Sequence, residues 1–192
     1  MHGFASKRLW MLPLCRRLNG EGYRVENWGY PTLRSSVSVH AANLRAFMLE
    51  LETRGQRFHI VAHSMGSVIV RTALQGIRMD CIKRIVFLAP PSRGSSAATI
   101  AGKTFGIGRL CPPLTELSTA PGSFVNSIED APDYEIGVIA ARYDLLVSVE
   151  RTHLKFEKDH VVLNATHNSL LFSKQVSHQV CRFFETGCFD HV

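Results

Sequence analysis

The amino-acid sequence predicts an α/β fold, with a mostly parallel sheet and helices on both of its faces. The first observation behind this prediction is that short apolar runs alternate with stretches of helical periodicity, at a spacing of about 25–30 residues, which is typical of right-handed βαβ units. The second is that these runs end at glycine, proline or other small residues, as strands do. We expect one domain over residues 1–192, which is long enough for a substantial core.

Two helices and a strand are predicted near the N-terminus. A helix over residues 6–19 has leucines at helical spacing, and Pro13 is expected to kink or shorten it. A short strand follows at Tyr23–Trp28. A second helix over residues 37–54 ends before Gly55, and glycine favours a helix end.

The stretch from Phe58 to Leu74 is the most informative part of the chain. It predicts a buried strand, a very tight turn and an apolar helix, with Ser64 at the turn. Ala62 and Gly66 lie two residues before and two after the serine, and such small residues let the strand and the helix approach closely. A hydroxyl at a helix N-terminus lies beside unpaired N–H groups that stabilise an oxyanion. The alternative is an ordinary strand–loop–helix junction without chemistry.

Three further strands and a last helix are predicted in the rest of the chain. Apolar runs predict strands at residues 82–89, 134–141 and 160–164, and the last helix ends at Gly187. Residues 92–133 are irregular and rich in Gly, Ser, Thr and Pro. Because long irregular segments in compact domains are commonly functional, we expect a variable lid or pocket segment there. The alternative is an insertion without a role.

The pattern A-H-S-M-G around Ser64 resembles the nucleophile elbow of the α/β-hydrolase superfamily, with Ala62 where most members have glycine. The sequence H-G-F at residues 2–4 resembles the H-G-x segment that follows the first core strand in that family. The resemblance covers almost the whole chain and is greatest to small bacterial lipases and esterases. It implies an α/β-hydrolase fold with minimal or no cap. It also implies an oxyanion hole formed by the backbone N–H groups of Phe4 and Met65.

Ser64, Asp144 and His167 occur in the chain order that this family uses, and each follows a predicted buried strand. A serine hydroxyl becomes a strong nucleophile when an imidazole takes its proton, and a carboxylate on the other ring nitrogen fixes the tautomer and stabilises the imidazolium. Asp144 is therefore the expected acid, and Asp159, in the loop before the last strand, is the serious alternative. His63 is adjacent to the serine in sequence but is expected to point elsewhere.

The resemblance also predicts a missing element. In the related fold, the strand that leads into the H-G-x segment lies in the middle of the sheet, between the strands that correspond to residues 24–28 and 58–62. The sequence begins at Met1 and offers no residues for that strand, so we expect the first core strand to be missing and the natural protein to extend upstream. We also expect a gap or a forced pairing between the two flanking strands.

Composition and charge argue against several other classes of protein. The net charge is +6, but the basic residues are dispersed and not interleaved with aromatic ones, so nucleic-acid binding is not expected. No apolar run is long enough to cross a bilayer. No phosphate loop, dinucleotide fingerprint or metal-ligand pattern occurs, so we expect no cofactor and no metal. The five scattered cysteines are typical of a reducing compartment, with a Cys181–Cys188 bridge as an open alternative, and the location in the cell stays open.

Taken together, these features predict a serine hydrolase that cleaves small-molecule or lipid esters through an acyl-enzyme intermediate on Ser64. The same three groups serve acyltransferases, thioesterases and amidases, because a fold does not fix its substrate. A non-catalytic binding relative is a further alternative. The sequence predicts neither the length of the acyl chain nor the oligomeric state.

Overall fold

Four parallel strands form one sheet in the computed structural model, which describes residues 1–33, 35–104, 111–129 and 133–191. The strands are β1 Phe58–His63, β2 Ile82–Leu88, β3 Ile136–Ala141 and β4 Asp159–Leu163. Each strand is hydrogen-bonded to the next one in the chain, so the order across the sheet is β1-β2-β3-β4. The predicted parallel sheet is confirmed, and its carboxyl ends lie at one edge, where functional groups of such sheets gather.

Helices cover both faces of this sheet, as predicted. Those of the described residues are α1 Leu12–Gly20, α2 Val37–Thr53, α3 Met65–Leu74, α4 Ser96–Thr104, α5 Pro112–Glu116, α6 Phe124–Ser127, α7 Val149–Thr152 and α8 Lys174–Thr186. Side chains of successive strand residues point to opposite faces. Accordingly, Phe87 of β2 belongs to the core under α2 and α3, whereas Val86 and Leu88 belong to the core under α1 and α8.

Local signals in the sequence set the ends of the two longest helices. Ser36 caps α2, since its hydroxyl accepts a hydrogen bond from the Val39 N–H at 3.3 Å. Ser173 caps α8 in the same way, with the Val176 N–H as donor. Gly187 ends α8 with a φ of 79°, a left-handed conformation that glycine adopts without strain.

The first helix begins later than the sequence analysis predicted. Arg8–Met11 form one turn of 3₁₀ helix, and α1 begins at Leu12 with Pro13 in its first turn. Proline is tolerated there because the first turn needs no N–H donor, whereas inside a helix its ring clashes with the preceding turn. As a result Leu14 is buried against the sheet, while Leu9, which we expected on the buried stripe, is 67% exposed.

Residues 23–28 do not form the strand that we predicted. A strand needs a neighbour for its N–H and C=O groups, but a cavity of about 440 Å³ lies between this segment and β1. On that side of β1, Met1 pairs with the strand: its amine donates to the Val61 C=O at 2.9 Å, and its C=O accepts from the His63 N–H at 3.1 Å. The gap that we expected beside β1 is therefore present.

The connection between β2 and β3 contains the short helices α4, α5 and α6. It corresponds to the segment 92–133 that the sequence marked as irregular, of which residues 105–110 and 130–132 lie outside the described residues. Within the described ranges, no helix is both long and apolar enough to cross a membrane. All five cysteines are free, so the Cys181–Cys188 bridge is not formed.

Candidate active site

Ser64 lies at the sharp turn between β1 and α3. Its φ of 52° is in the left-handed region, which costs free energy for a residue with a side chain. Three hydrogen bonds hold this turn. The Ser64 N–H donates to the Leu88 C=O at 2.9 Å, and the Ser64 C=O accepts from the Ser67 hydroxyl at 2.6 Å and from the Ser67 N–H at 2.9 Å. The small Ala62 before the turn is completely buried.

The N-terminal segment of the chain lies directly on this turn. A Cβ atom added to Gly3 would be 2.8 Å from the Ser64 Cβ, and one added to Gly66 would be 2.9 Å from the His2 carbonyl oxygen. Side chains do not fit at such distances, so both positions require glycine. This close approach brings residues 2–4 to the same end of the sheet as Ser64.

His2 is held in place by Tyr30. The Tyr30 hydroxyl donates to the His2 C=O at 2.6 Å, and the backbone N–H of Tyr30 donates to His2 Nε2 at 3.4 Å. The rings of the two residues stack with centroids 4.6 Å apart. Because Nε2 accepts, the proton of the neutral ring is on Nδ1, which faces the Gly3 C=O at 3.1 Å. Burial lowers the pKa of His2 below its usual value, which favours this neutral form.

Phe4 and Met65, the two residues expected to supply oxyanion-binding N–H groups, both lie next to the serine. Phe4 lines the same cavity as Ser64, and Met65 is the first residue of α3. The first N–H groups of a helix have no partner within it, so the Met65 N–H is not used by α3. Ala5 also lines this cavity and has a φ of 51°, a second strained residue at the same place.

Asp144 follows β3, and both of its carboxylate oxygens have partners. Oδ1 accepts hydrogen bonds from the N–H groups of Leu146 at 2.8 Å and Val147 at 2.9 Å. Oδ2 lies 2.6 Å from Nδ1 of His167, which lies in the segment after β4. The side chain of Asp144 is 1% exposed and that of His167 is 9% exposed, so water has little access to this contact. An ionised carboxylate only accepts, which places the proton on Nδ1 and leaves a lone pair on Nε2.

Ser64 and His167 line one cavity of about 340 Å³. In this part of the described chain, no hydrogen bond joins the Ser64 hydroxyl to the His167 ring; in active sites without substrate such bonds are commonly long. An apolar part of the wall comes from α4, from α5 and the residue after it, and from the turn after Asp144; its residues are Ala97, Ala98, Ala101, Leu114, Leu117, Leu146 and Val147. The three residues expected from the sequence thus lie in one region, two of them in direct contact.

His63 lines this cavity beside Ser64 and contacts the backbone of His167, a contact that the sequence analysis did not predict. Its Nε2 lies 3.0 Å from the His167 C=O, and since a carbonyl only accepts, Nε2 carries the proton. Burial, and to a smaller degree the nearby His167, lowers the pKa of His63 well below its usual value, so the ring is neutral. Among the described residues, Nδ1 has no hydrogen-bond partner. His63 therefore contacts the backbone of His167 and does not serve Ser64.

The alternative acid and the other histidines lie away from the cavity. Asp159, at the start of β4, pairs with His191 at 2.8 Å and so contacts the C-terminal residues instead of His167. His59 stacks on Phe184 with ring centroids 4.1 Å apart. These positions favour Asp144 over Asp159 as the partner of His167.

One group among the described residues could hold a metal ion. The potential ligand atoms of His153, Glu157 and His160 lie within 4.8 Å of one another. His153 and Glu157 belong to the connection between β3 and β4, His160 lies in β4, and none of the three lines the cavity of Ser64. The sequence analysis expected no metal ligands and missed this group, because the spacing H-x₃-E-x₂-H runs from a loop into β4, and sequence alone does not show which side chains meet there.

Comparison with known protein families gives a match over most of the chain. Residues 1–145 match the model of the alpha/beta hydrolase family. No match was found among curated protein sequences.

Solved structures with a similar fold are distant in sequence. The mature form of the lipase BlEst2 from Bacillus licheniformis is 14% identical with a TM-score of 0.70, and the match covers 97% of this chain and 89% of that one. A thermophilic esterase from Thermogutta terrifontis with malate bound is 15% identical with a TM-score of 0.66, covering 97% and 88%. The monoacylglycerol lipase of Paleococcus ferrophilus is 16% identical with a TM-score of 0.62, covering 97% and 91%. At these identities the likeness shows the fold alone.

Proposed function

The chain belongs to the alpha/beta hydrolase family, and on that premise we propose that it is a serine hydrolase that cleaves carboxylic esters through an acyl-enzyme intermediate. The observation that carries the proposal is the 2.6 Å contact between Asp144 and His167, beside the cavity that Ser64 lines. The ester substrate is supported by the lipases and esterases among the structures with a similar fold.

Each step of the proposed reaction can be assigned to a residue of the candidate active site. The Ser64 hydroxyl attacks the acyl carbon while His167 Nε2 takes its proton, and Asp144 keeps the ring in this tautomer and stabilises the imidazolium. The N–H groups of Phe4 and Met65 bind the oxyanion of the tetrahedral intermediate. His167 then protonates the leaving alcohol, and a water activated by the same ring releases the acid and restores Ser64.

The acyl group is proposed to occupy the apolar part of the cavity, between α4 and α5. The cavity of about 340 Å³ is at the lower end of the ~300–1,000 Å³ of ligand pockets. We therefore propose short acyl chains, with α4 and α5 of the segment 92–133 as the pocket-lining elements.

Hydrolysis of p-nitrophenyl esters tests this function. We expect turnover of the acetate and butyrate esters, little turnover of the palmitate ester, and loss of all activity in Ser64→Ala with an unchanged circular dichroism spectrum. Ser127→Ala is a matched control, because its hydroxyl bonds only locally to the Phe124 C=O, and it should keep full activity. Activity that survives Ser64→Ala contradicts the proposal. Turnover of thioesters or amides alone would keep the mechanism and change the substrate.

A further inference from the structure

The connection between β3 and β4 brings together two histidines and a glutamate with the donor chemistry of a metal site. His153 and Glu157 lie on the loop between α7 and β4, and His160 is the second residue of β4. Their potential ligand atoms lie within 4.8 Å of one another. None of the three has a role in the proposed ester hydrolysis, so the cluster needs a separate explanation.

The glutamate of this cluster is already fixed. One oxygen of Glu157 lies 2.6 Å from His153 Nδ1, and the other accepts the Leu154 N–H at 2.9 Å. The Glu157 side chain is only 14% exposed, whereas the His153 side chain is 44% exposed. The carboxylate is therefore held at the base of the cluster, and an ion can reach it from the solvent through the side of His153.

The ring of His160 is oriented by a neighbour outside the cluster. Its Nε2 lies 2.9 Å from the Thr152 hydroxyl, and that hydroxyl donates its only hydrogen to the Val149 C=O at 2.6 Å. The hydroxyl can then only accept from His160, which places the ring proton on Nε2 and leaves the lone pair of Nδ1 free for a ligand. An outer hydrogen bond that fixes the tautomer in this way is typical of metal-binding histidines.

We propose that His153, Glu157 and His160 bind one Zn²⁺ ion. Two imidazole nitrogens and one carboxylate oxygen are a common zinc donor set, which leaves the fourth tetrahedral position to water. Zinc bonds of about 2.0–2.2 Å place ligand atoms roughly 3.4 Å apart. The present separations of up to 4.8 Å therefore require the two rings, now stacked at 4.0 Å, to turn towards a common point.

The ion would tie the start of β4 to the end of α7. The Thr152 C=O also accepts a hydrogen bond from the Ser92 hydroxyl at 3.0 Å, which links this connection to the chain after β2. Zinc is thus expected to stabilise the loop between β3 and β4, the strands that precede Asp144 and His167, without contacting substrate. A ligand that binds only the folded state raises the melting temperature as its concentration increases.

Calorimetric titration of the tag-free, chelator-treated full chain with Zn²⁺ tests the proposal. We expect one ion per chain and a melting temperature that rises with Zn²⁺. His153→Ala, Glu157→Gln and His160→Ala should each weaken binding at least as much as the roughly 10–100-fold seen when an outer partner of a metal ligand is lost. His178→Ala is the control, because His178 forms a similar pair with Asp190 at 3.0 Å that lies outside the cluster, and it should bind normally.

Absence of saturable binding at one ion per chain would overturn the proposal, as would normal binding by Glu157→Gln and His153→Ala. Both variants are expected to fold, because the His153 side chain is partly exposed and Glu157→Gln keeps the shape of the side chain. Circular dichroism of each variant without metal checks this directly. Because the readout is binding and melting temperature, its result is independent of whether the protein hydrolyses esters.

Discussion

The two sides of the candidate active site, which we call the acid–base side and the oxyanion side after their proposed roles, are held by different kinds of structure. On the acid–base side, Asp144 and His167 follow β3 and β4, which are hydrogen-bonded to each other along their length. On the oxyanion side, residues 2–4 lie beside Ser64 without forming a strand of the sheet. Their position depends on close packing against the turn and on the hydrogen bonds of Tyr30.

Because of this difference, we expect the two sides to respond differently to amino-acid substitutions. Backbone hydrogen bonds between strands do not depend on side chains, so a substitution on the acid–base side alters the chemistry and leaves the geometry in place. The oxyanion side is held by close packing and not by hydrogen bonds between strands, so a small substitution there is expected to move the backbone itself.

The largest effect is expected on the acid–base side. Asp144→Asn keeps the shape but no longer imposes the required tautomer on His167, so kcat should fall by about 10⁴-fold, as in other Ser-His-Asp sites. Asp159→Asn is the matched control and should leave ester hydrolysis almost unchanged. Steady-state kinetics of both variants measure this. The reverse pattern would reassign the role of the acid.

Adding one methyl group on the oxyanion side should have the next largest effect. The Cβ of Gly3→Ala would meet the Ser64 Cβ at 2.8 Å and displace residues 2–4. Loss of one oxyanion donor costs roughly 10²–10³ in kcat. In contrast, Gly20→Ala adds a Cβ that meets nothing within 4 Å and should be neutral. Equal kcat values for the two alanine variants would contradict the placement of residues 2–4.

A milder effect is expected from removing the Tyr30 hydroxyl. Burial raises the pKa of Tyr30 far above its usual value, so the hydroxyl stays a donor to the His2 C=O even at alkaline pH. Tyr30→Phe should lower the free energy of unfolding by about 1 kcal/mol and reduce kcat only a few-fold. Urea unfolding measures the first and ester kinetics the second, with the exposed Tyr143→Phe as control. A variant as stable as the wild type would show that this bond does not hold the segment.

The smallest effect concerns His63, which joins the two sides, and depends on pH. Its pKa is lowered in the folded state, so below its usual pKa the unfolded chain binds a proton that the folded chain does not. Stability is therefore lost as the pH falls below about 6.5 towards the lowered value. His63→Phe removes this contribution, together with one hydrogen bond and one unpaired buried nitrogen. It should be near neutral at pH 7 and lose less stability than the wild type at pH 5; parallel curves would contradict this.

Much of the sheet could be predicted from the sequence because its two central strands, β2 and β3, are largely buried. β3 and the part of β2 from Ile85 to Leu88 are continuous runs of buried apolar residues, and such runs are typical of strands in a parallel sheet. The prediction for residues 23–28 was wrong because a strand is defined by its neighbour, which local sequence does not reveal. The start of α1 was misplaced because Pro13 is compatible both with a kink and with a first turn.

The site shows the same division. The turn at Ser64 and the order of Asp144 and His167 were readable, because their residue types follow strand ends. Two contacts could not be predicted: that of His63 with the His167 backbone, and that of His153 with His160. Local sequence patterns do not show that these segments lie side by side. Both contacts depend on tertiary packing, which the three-dimensional structure shows.

The central claim is that Ser64 is the one nucleophile that the two sides serve. Incubation of the folded chain with a fluorophosphonate, followed by peptide mass spectrometry, tests it most directly. We expect one adduct per chain on Ser64, no adduct in Ser64→Ala, and much slower labelling in Asp144→Asn. Labelling of another residue, or none in protein whose circular dichroism shows it to be folded, would contradict the claim.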